Sequence, residues 1–422
     1  MRFPLRGDDI SGSIPPRIKI RGILETVMEK GSGTHRVVFK HARETPYPYG
    51  AYLWQQRNIQ LNALGADSSH QVVVIPTGNL TENISRSNKP PFSDKNPVAI
   101  AKVNNFPDNE DLIEIENEVP GVKHITIIGS ATNYCDLFHI LQVASHYKET
   151  LGTKHVTLFA PFLMTTRQDK NCDSKGRYRP VSINVHTTIA ALSTSVDTFI
   201  VNEPHSFATQ TAAADQGKAL LPITPWKYLM NNVFDKGICI DGKKFTFTRD
   251  NTLIVRPDKG RKIAASRIAK FYGLDHVSFN KIRTSPIKTT FFLSSLDKKK
   301  VRGKLCIVYD DELSTCSTVS KIAEHLQKCK ALGLIIVGVH GKFTDEWENN
   351  ITKQIIKKIF VSDSRREVGN IKPYIESGKI EILSLEGLIA QILQADLKRT
   401  NFWLDDEYKH LVLQTNGQDE SH

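Results

Sequence analysis

KHITIIGS at residues 123–130 and DLFHILQVASHYKETLG at residues 136–152 are the stretch from which the rest of the chain can be read. The first is a short run of apolar, largely β-branched residues stopped by glycine, the pattern of a strand buried on both faces. The second carries apolar residues at helical spacing and so predicts a helix. The alternation continues downstream. HVTLFA (155–160) repeats the strand, SINVHTTIAALSTS (182–195) the helix, and DTFIVNE (197–203) the strand again. Strands separated by helices need crossover connections, and crossovers join parallel neighbours, so the fold class is α/β with a mainly parallel sheet flanked by helices.

A second series of the same kind follows. NTLIVRPDKG (251–260) leads into KIAASRIAKFYG, LCIVYDDELSTCST (305–318) into VSKIAEHLQKCKALG, and LIIVGVHG (334–341) and KKIFVSDS (357–364) close the run. Length agrees, since 422 residues at about 150 per domain suggest two or three units. The expected division is an N-terminal α/β domain with an extended leading segment at 1–202, a C-terminal α/β domain at 203–371, and 372–422 as a terminal strand and helix returning to the N-terminal domain. The tail QTNGQDESH is expected to be disordered. Turn clusters such as RETPYPYGAY and SRSNKPPFSDKNP break up the first hundred residues, and no element is assigned there.

Working outward to composition, 40% hydrophobic and 24% charged residues suit a globular chain. No run approaches the roughly 20 apolar residues that cross a bilayer, and MRFPLRGDDISGS lacks a signal-peptide apolar core. A cytoplasmic protein with no membrane partner is expected. The six cysteines are scattered, without the paired spacing of a metal site. Lys+Arg 56 against Asp+Glu 45 leaves +11, so anions are attracted. The basic residues are spread out and no nucleic-acid motif accompanies them, which favours small phosphorylated ligands over nucleic acid.

Two segments invite a phosphate reading. GICIDGKK, Gly237 to Lys244, matches GxxxxGK but has Lys244 where a Mg-binding hydroxyl is required. Its Asp-Gly pair between β-type triplets predicts a hairpin instead. LCIVYDDELSTCST is better. An apolar strand delivers Asp310 and Asp311 to its carboxyl end, where parallel sheets bind ligands. Backbone N–H groups and the hydroxyls of Ser314, Thr315, Ser317 and Thr318 then open a helix and can hold a phosphate, while the carboxylates accept sugar hydroxyls or hydrated Mg²⁺. The same string also fits an ordinary capped helix.

DDELSTCST resembles the DDxxxTxxT ribose-5-phosphate loop of the ribose-phosphate pyrophosphokinases, or phosphoribosyl pyrophosphate synthetases. Six further segments resemble that family in the same order. FPDNE (106–110) is similar to FxDGE, FLMTTRQDKN (162–171) to YxxYxRQDRK, NEPHS (202–206) to DLH, and VRPDKGRKIAA (255–265) to PDxGG. NKIRT (280–284) is similar to the KxR flexible loop and VHGKF (339–343) to THGxF. The resemblance covers roughly Val98 to Leu393.

It implies two domains like type I phosphoribosyltransferases, and transfer of the β,γ-pyrophosphoryl group of ATP to ribose 5-phosphate, giving phosphoribosyl pyrophosphate and AMP for nucleotide biosynthesis. By the same carry-over, Lys281 and Arg283 are the transition-state cations, and Phe106, Asp108, Glu110, Arg167, Gln168 and Asp169 contact ATP. His205 and Asp258 help hold Mg²⁺. Asp310, Asp311, Ser314, Thr315, Cys316, Ser317 and Thr318 bind ribose 5-phosphate. The FPDNE segment implies a homo-oligomer, because in the family it reaches a neighbouring subunit. The chain departs from the pattern at Glu203 and Pro204, at Lys170 and Asn171, at Arg261, and at Asn109, Ser314 and Ser317. Those departures keep a catalytically silent regulatory subunit as the alternative, with a phosphoribosyltransferase behind it.

Overall fold

A computed structural model describes residues 46–65, 69–87, 92, 98–171, 178, 180–240, 242–257, 262–283, 289–366 and 369–413. Its first sheet contains β1 (His70–Val74), β2 (Ala99–Asn105), β3 (Asp111–Glu116), β4 (His124–Ile128), β5 (His155–Ala160), β6 (Thr198–Asn202) and β7 (Ala219–Ile223), in the spatial order β3-β2-β1-β4-β5-β6-β7. Only β2 and β3 pair antiparallel. β4, β5 and β6 are buried at every position, as an unbroken apolar run demands when helices cover both faces of a parallel sheet.

A short antiparallel ribbon, β8 (Ile238–Ile240) and β9 (Lys243–Phe245), comes next, with Gly242 turning at φ 77°. The GxxxxGK match is therefore a hairpin, as the Asp-Gly pair predicts. The second sheet is parallel throughout. It uses β10 (Thr252–Arg256), β11 (Asp275–Ser278), β14 (Leu305–Leu313), β15 (Gly333–Gly341), β16 (Ile356–Ser362) and β17 (Ile380–Leu383) in the order β11-β10-β14-β15-β16-β17. Between β11 and β14 the chain forms a second antiparallel ribbon, β12 (Asn280–Arg283) and β13 (Thr289–Phe292).

The helices are α1 (Pro46–Ala63), α2 (Asn79–Ser85), α3 (Tyr134–Ser145), α4 (Asn184–Leu192), α5 (Ala208–Asp215) and α6 (Trp226–Lys236), then α7 (Lys262–Phe271), α8 (Ser295–Val301), α9 (Ser317–Lys328), α10 (Trp347–Ile351), α11 (Lys372–Glu376) and α12 (Glu386–Leu397). Among the described residues no helix is long and apolar enough to cross a membrane.

The parallel α/β architecture is the expected one, but the division between its halves falls later than 202/203. β7 completes the first sheet, pairing Val201 with Pro222. The terminal strand and helix also part company. β17 joins the second sheet, whereas α12 turns back onto the first half. There Asp396 receives Arg57 from α1 at 2.8 Å, Glu386 receives Ser87 at 2.8 Å, and Leu411 O accepts from Thr224 N at 2.7 Å. Residues 1–45 and the tail 414–422 lie outside the described residues.

From Tyr47 onward the described residues form one compact unit. One apolar cluster runs through both sheets, joining Ile128, Phe159, Ile200 and Leu221 to Leu305, Ile307, Tyr309 and Val337, with Trp226, Leu388 and Ile392 between them. Burying each large side chain contributes about 1.5–3 kcal/mol. The halves are thus fused by their core, which fixes the carboxyl ends of the two sheets against each other.

Candidate active site

Each sheet reverses strand order once, between β1 and β4 in the first and between β10 and β14 in the second. Such a reversal opens a crevice at the carboxyl ends of the strands. The first crevice is filled. Ser130, just past β4, donates its N–H to Thr77 Oγ1 (3.2 Å) and its hydroxyl to Ser364 O (2.6 Å) beyond β16. A Cβ on Gly78 would meet Arg366 N at 3.4 Å. The second reversal lies beside β14.

β14 is buried through Tyr309 and then presents Asp310, Asp311 and Glu312. Asp310 Oδ1 accepts from the N–H of Asp311 (3.0 Å) and Asp311 Oδ1 from that of Glu312 (2.9 Å). The loop beyond is tied down on both sides. Ser314 Oγ and Thr344 Oγ1 are 2.7 Å apart, and Asn350 Nδ2 donates to Thr315 O at 2.8 Å. Cys316 enters α9 at φ 57°, the left-handed region that favours glycine. Burial, reinforced by the Asp310 charge, pushes its thiol up to about 12. A thiol raised in this way carries little of the nucleophilic thiolate. Ser317, exposed, and Thr318, half-buried, stand in the first turn of α9, where amide N–H groups lack intrahelical partners.

Residues of the first sheet meet this loop. His205, after β6, places Nδ1 2.6 Å from Asp311 Oδ2. Glu312 is bracketed by two cations: Lys342 Nζ lies 2.8 Å from Oε1 and Arg167 Nη1 3.2 Å from Oε2. Burial lowers the Lys342 pKa, with Glu312 opposing that shift. Glu203 is buried at φ 42° and accepts from the Tyr309 hydroxyl at 3.3 Å. It braces the two sheets. His340, held to about 4 chiefly by burial, is neutral. Its Nε2 donates to Glu203 O (3.3 Å), leaving Nδ1 to accept from Ser364 Oγ (2.8 Å).

The structure thus gathers Arg167, His205, Asp310, Asp311 and the 314–318 loop at one place. Gln168 and Asp169 follow Arg167, and Gln168 is anchored by Asn184. Phe106, Asp108 and Glu110 sit elsewhere. They form the tip of the β2–β3 hairpin, which runs five residues past the last β1 pairing at Ile100. That tip closes on itself: Glu110 O accepts from Phe106 N (2.8 Å), Phe106 O from Asn109 N (2.9 Å), and Phe106 is 47% exposed. Asn109, at φ 68°, takes the left-handed turn that asparagine tolerates. The backbone of Lys281 and Arg283 lies on β12, whose ribbon begins two residues after β11. Their side chains, and Asp258, lie outside the described residues.

Sequence reasoning did not pick out Glu312, Lys342 or His340 as site residues. His340 and Lys342 stand in the VHGKF string already compared with THGxF, so a signal for them existed.

No family model matches the chain. Among curated proteins, the ribose-phosphate pyrophosphokinase of Pyrococcus furiosus is 25% identical over 266 residues, covering 63% of this chain and 86% of that protein. Another of that name, from Aeropyrum pernix, is 26% identical over 299 residues, covering 68% and 84%. The crystal structure of phosphoribosylpyrophosphate synthetase from Mycobacterium smegmatis matches with a TM-score of 0.60 at 17% identity, over 78% of this chain and 100% of that one. The fold is therefore shared across an entire synthetase chain while the sequence has drifted far. In sequence, in fold and in its collinear motifs the chain is similar to the ribose-phosphate pyrophosphokinases, from which it has diverged far.

Proposed function

We propose that the protein is a ribose-phosphate diphosphokinase, which moves the β,γ-pyrophosphoryl group of ATP onto the 1-hydroxyl of ribose 5-phosphate and yields phosphoribosyl pyrophosphate and AMP for nucleotide biosynthesis. The observation that carries this reading is the meeting of His205 with Asp311 and of Arg167 with Glu312. Groups from two sheets converge at the carboxyl end of β14.

In this reading the α9 amides and the hydroxyls of Ser314, Thr315, Ser317 and Thr318 hold the 5-phosphate. Asp310 and Asp311 accept ribose hydroxyls, which sets the distance of the 1-hydroxyl from the nucleotide. Arg167, Gln168 and Asp169 line the nucleotide side. By family likeness Lys281 and Arg283, whose backbone lies on β12, are the cations for the charge that develops on the transferring phosphates, and positioning with electrostatic neutralisation supplies most of such a rate enhancement.

Among the described residues no three His, Cys, Asp or Glu side chains stand close enough to cage a metal. Mg²⁺ does not need a cage, since it keeps waters and takes one or two carboxylates along with substrate phosphates. His205 beside Asp311 and Asp310 fits that demand, with Asp258 as a further ligand by family likeness. When bound, the ion would neutralise phosphate charge. The exposed Phe106 tip supports a homo-oligomer in which it serves a neighbour's nucleotide.

The test is AMP release by the pure protein from ATP, ribose 5-phosphate and Mg²⁺, with other divalent metals and triphosphates as further arms. Silence in every arm, with nucleotide still bound, would establish the regulatory-subunit reading, which Cys316 at φ 57° in the entry to α9 favours.

A further inference from the structure

The carboxylate of Glu312 is only 7% exposed, while the Arg167 side chain is 54% exposed. The acid is thus the fixed partner and the guanidinium the movable one. Three cations surround this carboxylate's corner of the cleft. Lys342 binds Oε1 at 2.8 Å and stands 5.2 Å from the Phe162 ring centroid; the Arg365 guanidinium lies 4.6 Å from the same ring. Arg167 comes from the first sheet and donates to Oε2 from Nη1 at 3.2 Å. A buried carboxylate is costly unless its oxygens are satisfied, and here one oxygen is assigned to each half of the molecule.

A guanidinium has five N–H donors in a rigid fork. Engaging it from one nitrogen sets the plane of the fork and leaves its remaining donors for an anion. Glu312 follows Asp311 directly, so the strand that carries the sugar-binding carboxylates also aims the cation on the nucleotide side.

We infer that Glu312 is a positioning residue, which orients Arg167 toward the triphosphate while Lys342 balances its buried charge. The inference rests on the proposed function for its substrate, and on nothing else beyond the geometry above.

Glu312→Gln should lower kcat/KM for ATP by about tenfold to a hundredfold, the usual cost of a misaimed binding group, and leave the KM for ribose 5-phosphate within about twofold. Adding it to Arg167→Ala should cause no further loss, because a residue acting through another is silent once that one is gone. Multiplying losses in the double variant would overturn the inference. Glu312→Gln leaves Lys342 buried without its carboxylate, so the variant could fail to fold. The pair Glu312→Gln with Lys342→Met removes both charges and keeps the test. It should regain wild-type Tm and still show the ATP defect; recovery of activity together with Tm would mean that Glu312 is merely structural. If the wild type binds ATP but releases no AMP, the proposed function falls alone, and the same cycle is read in the Kd for ATP. A wild type that binds no ATP overturns both.

Discussion

At the residue scale, the His205–Asp311 pair and Cys316 make opposite predictions about reactivity. Asp311 is buried and His205 is exposed, so His205→Ala should leave the fold intact while costing about a hundredfold in kcat/KM, a loss typical of removing a metal- or phosphate-orienting partner. A loss below threefold in an AMP assay would remove His205 from the site. Cys316 has the most catalytic-looking address in the chain, at the mouth of the phosphate loop, yet its thiol is raised to about 12. A raised thiol pKa means almost no thiolate at pH 8. Alkylation at that pH, followed by mass spectrometry, should label exposed Cys135 and Cys239 and spare Cys316; early labelling of Cys316 would show that the loop opens. Glu312 teaches why some site residues escape a sequence reading. Its partner Arg167 is 145 residues away, and no spacing rule connects the two.

At the element scale, the ends of strands decide both chemistry and stability. Gly341 closes β15, and a Cβ there would meet both Phe343 Cε2 and Val361 Cγ2 at 2.7 Å. Gly341→Ala should therefore cost about 1–3 kcal/mol by overpacking and shift Lys342, visible as a lower midpoint in urea and weaker ATP binding. The opposite, amino ends of the first sheet carry a ladder of imidazoles. His70, His124 and His155 begin β1, β4 and β5 in register, with ring centroids 4.7 and 5.3 Å apart. Each bonds a threonine on the next strand at 2.9–3.0 Å. Around them stand Arg57, Asp396, Arg399, Lys148 and Asp197. Burial holds His70 to about 4 and His155 to about 3, and pushes His124 well down too. The unfolded chain, with imidazoles near 6.5, therefore takes up protons first. This stability is complete above about pH 6.5 and drains away as the pH falls toward 4. Tm followed from pH 7.5 to 4.5 should drop steeply, and less steeply in His124→Asn; parallel profiles would contradict the ladder's role. Legibility follows the same logic of burial. β4 and β5 could be read because both faces are covered, so after its first histidine each strand is an apolar run broken only by one threonine. β7 could not, because Pro222 argues against a central strand, and the structure places it at the sheet's edge, where proline is tolerated. The β2–β3 hairpin was hidden for the converse reason: β3 alternates between exposed and half-exposed positions and has no apolar run to notice.

At the scale of the whole molecule, the question is whether one chain holds a complete site. The cleft groups Arg167, His205 and Asp311 lie at the carboxyl ends of β5, β6 and β14. The Phe106–Glu110 tip extends past the pairing with β1, three strands away from β5, and its hydrogen bonds turn inward. An aromatic ring left 47% exposed at the end of an arm suits a base supplied by another copy, since exposed aromatics at arm tips contribute most when a partner covers them. If the tip serves a neighbour, a site needs one good cleft and one good tip from different chains. Phe106→Ala combined with Asp108→Ala ruins the tip alone, and Arg167→Ala ruins the cleft alone, so each variant should be nearly inactive by itself. Mixed in equal amounts under conditions that exchange subunits, random pairing gives an intact tip opposite an intact cleft in about a quarter of sites. Activity should rise toward that fraction of wild type, with no rise when either variant is mixed with itself. If the mixture stays as inactive as its components although exchange is shown by labelled subunits, each chain must use its own tip, and the arm would then have to fold back across the face of its own sheet to reach the nucleotide.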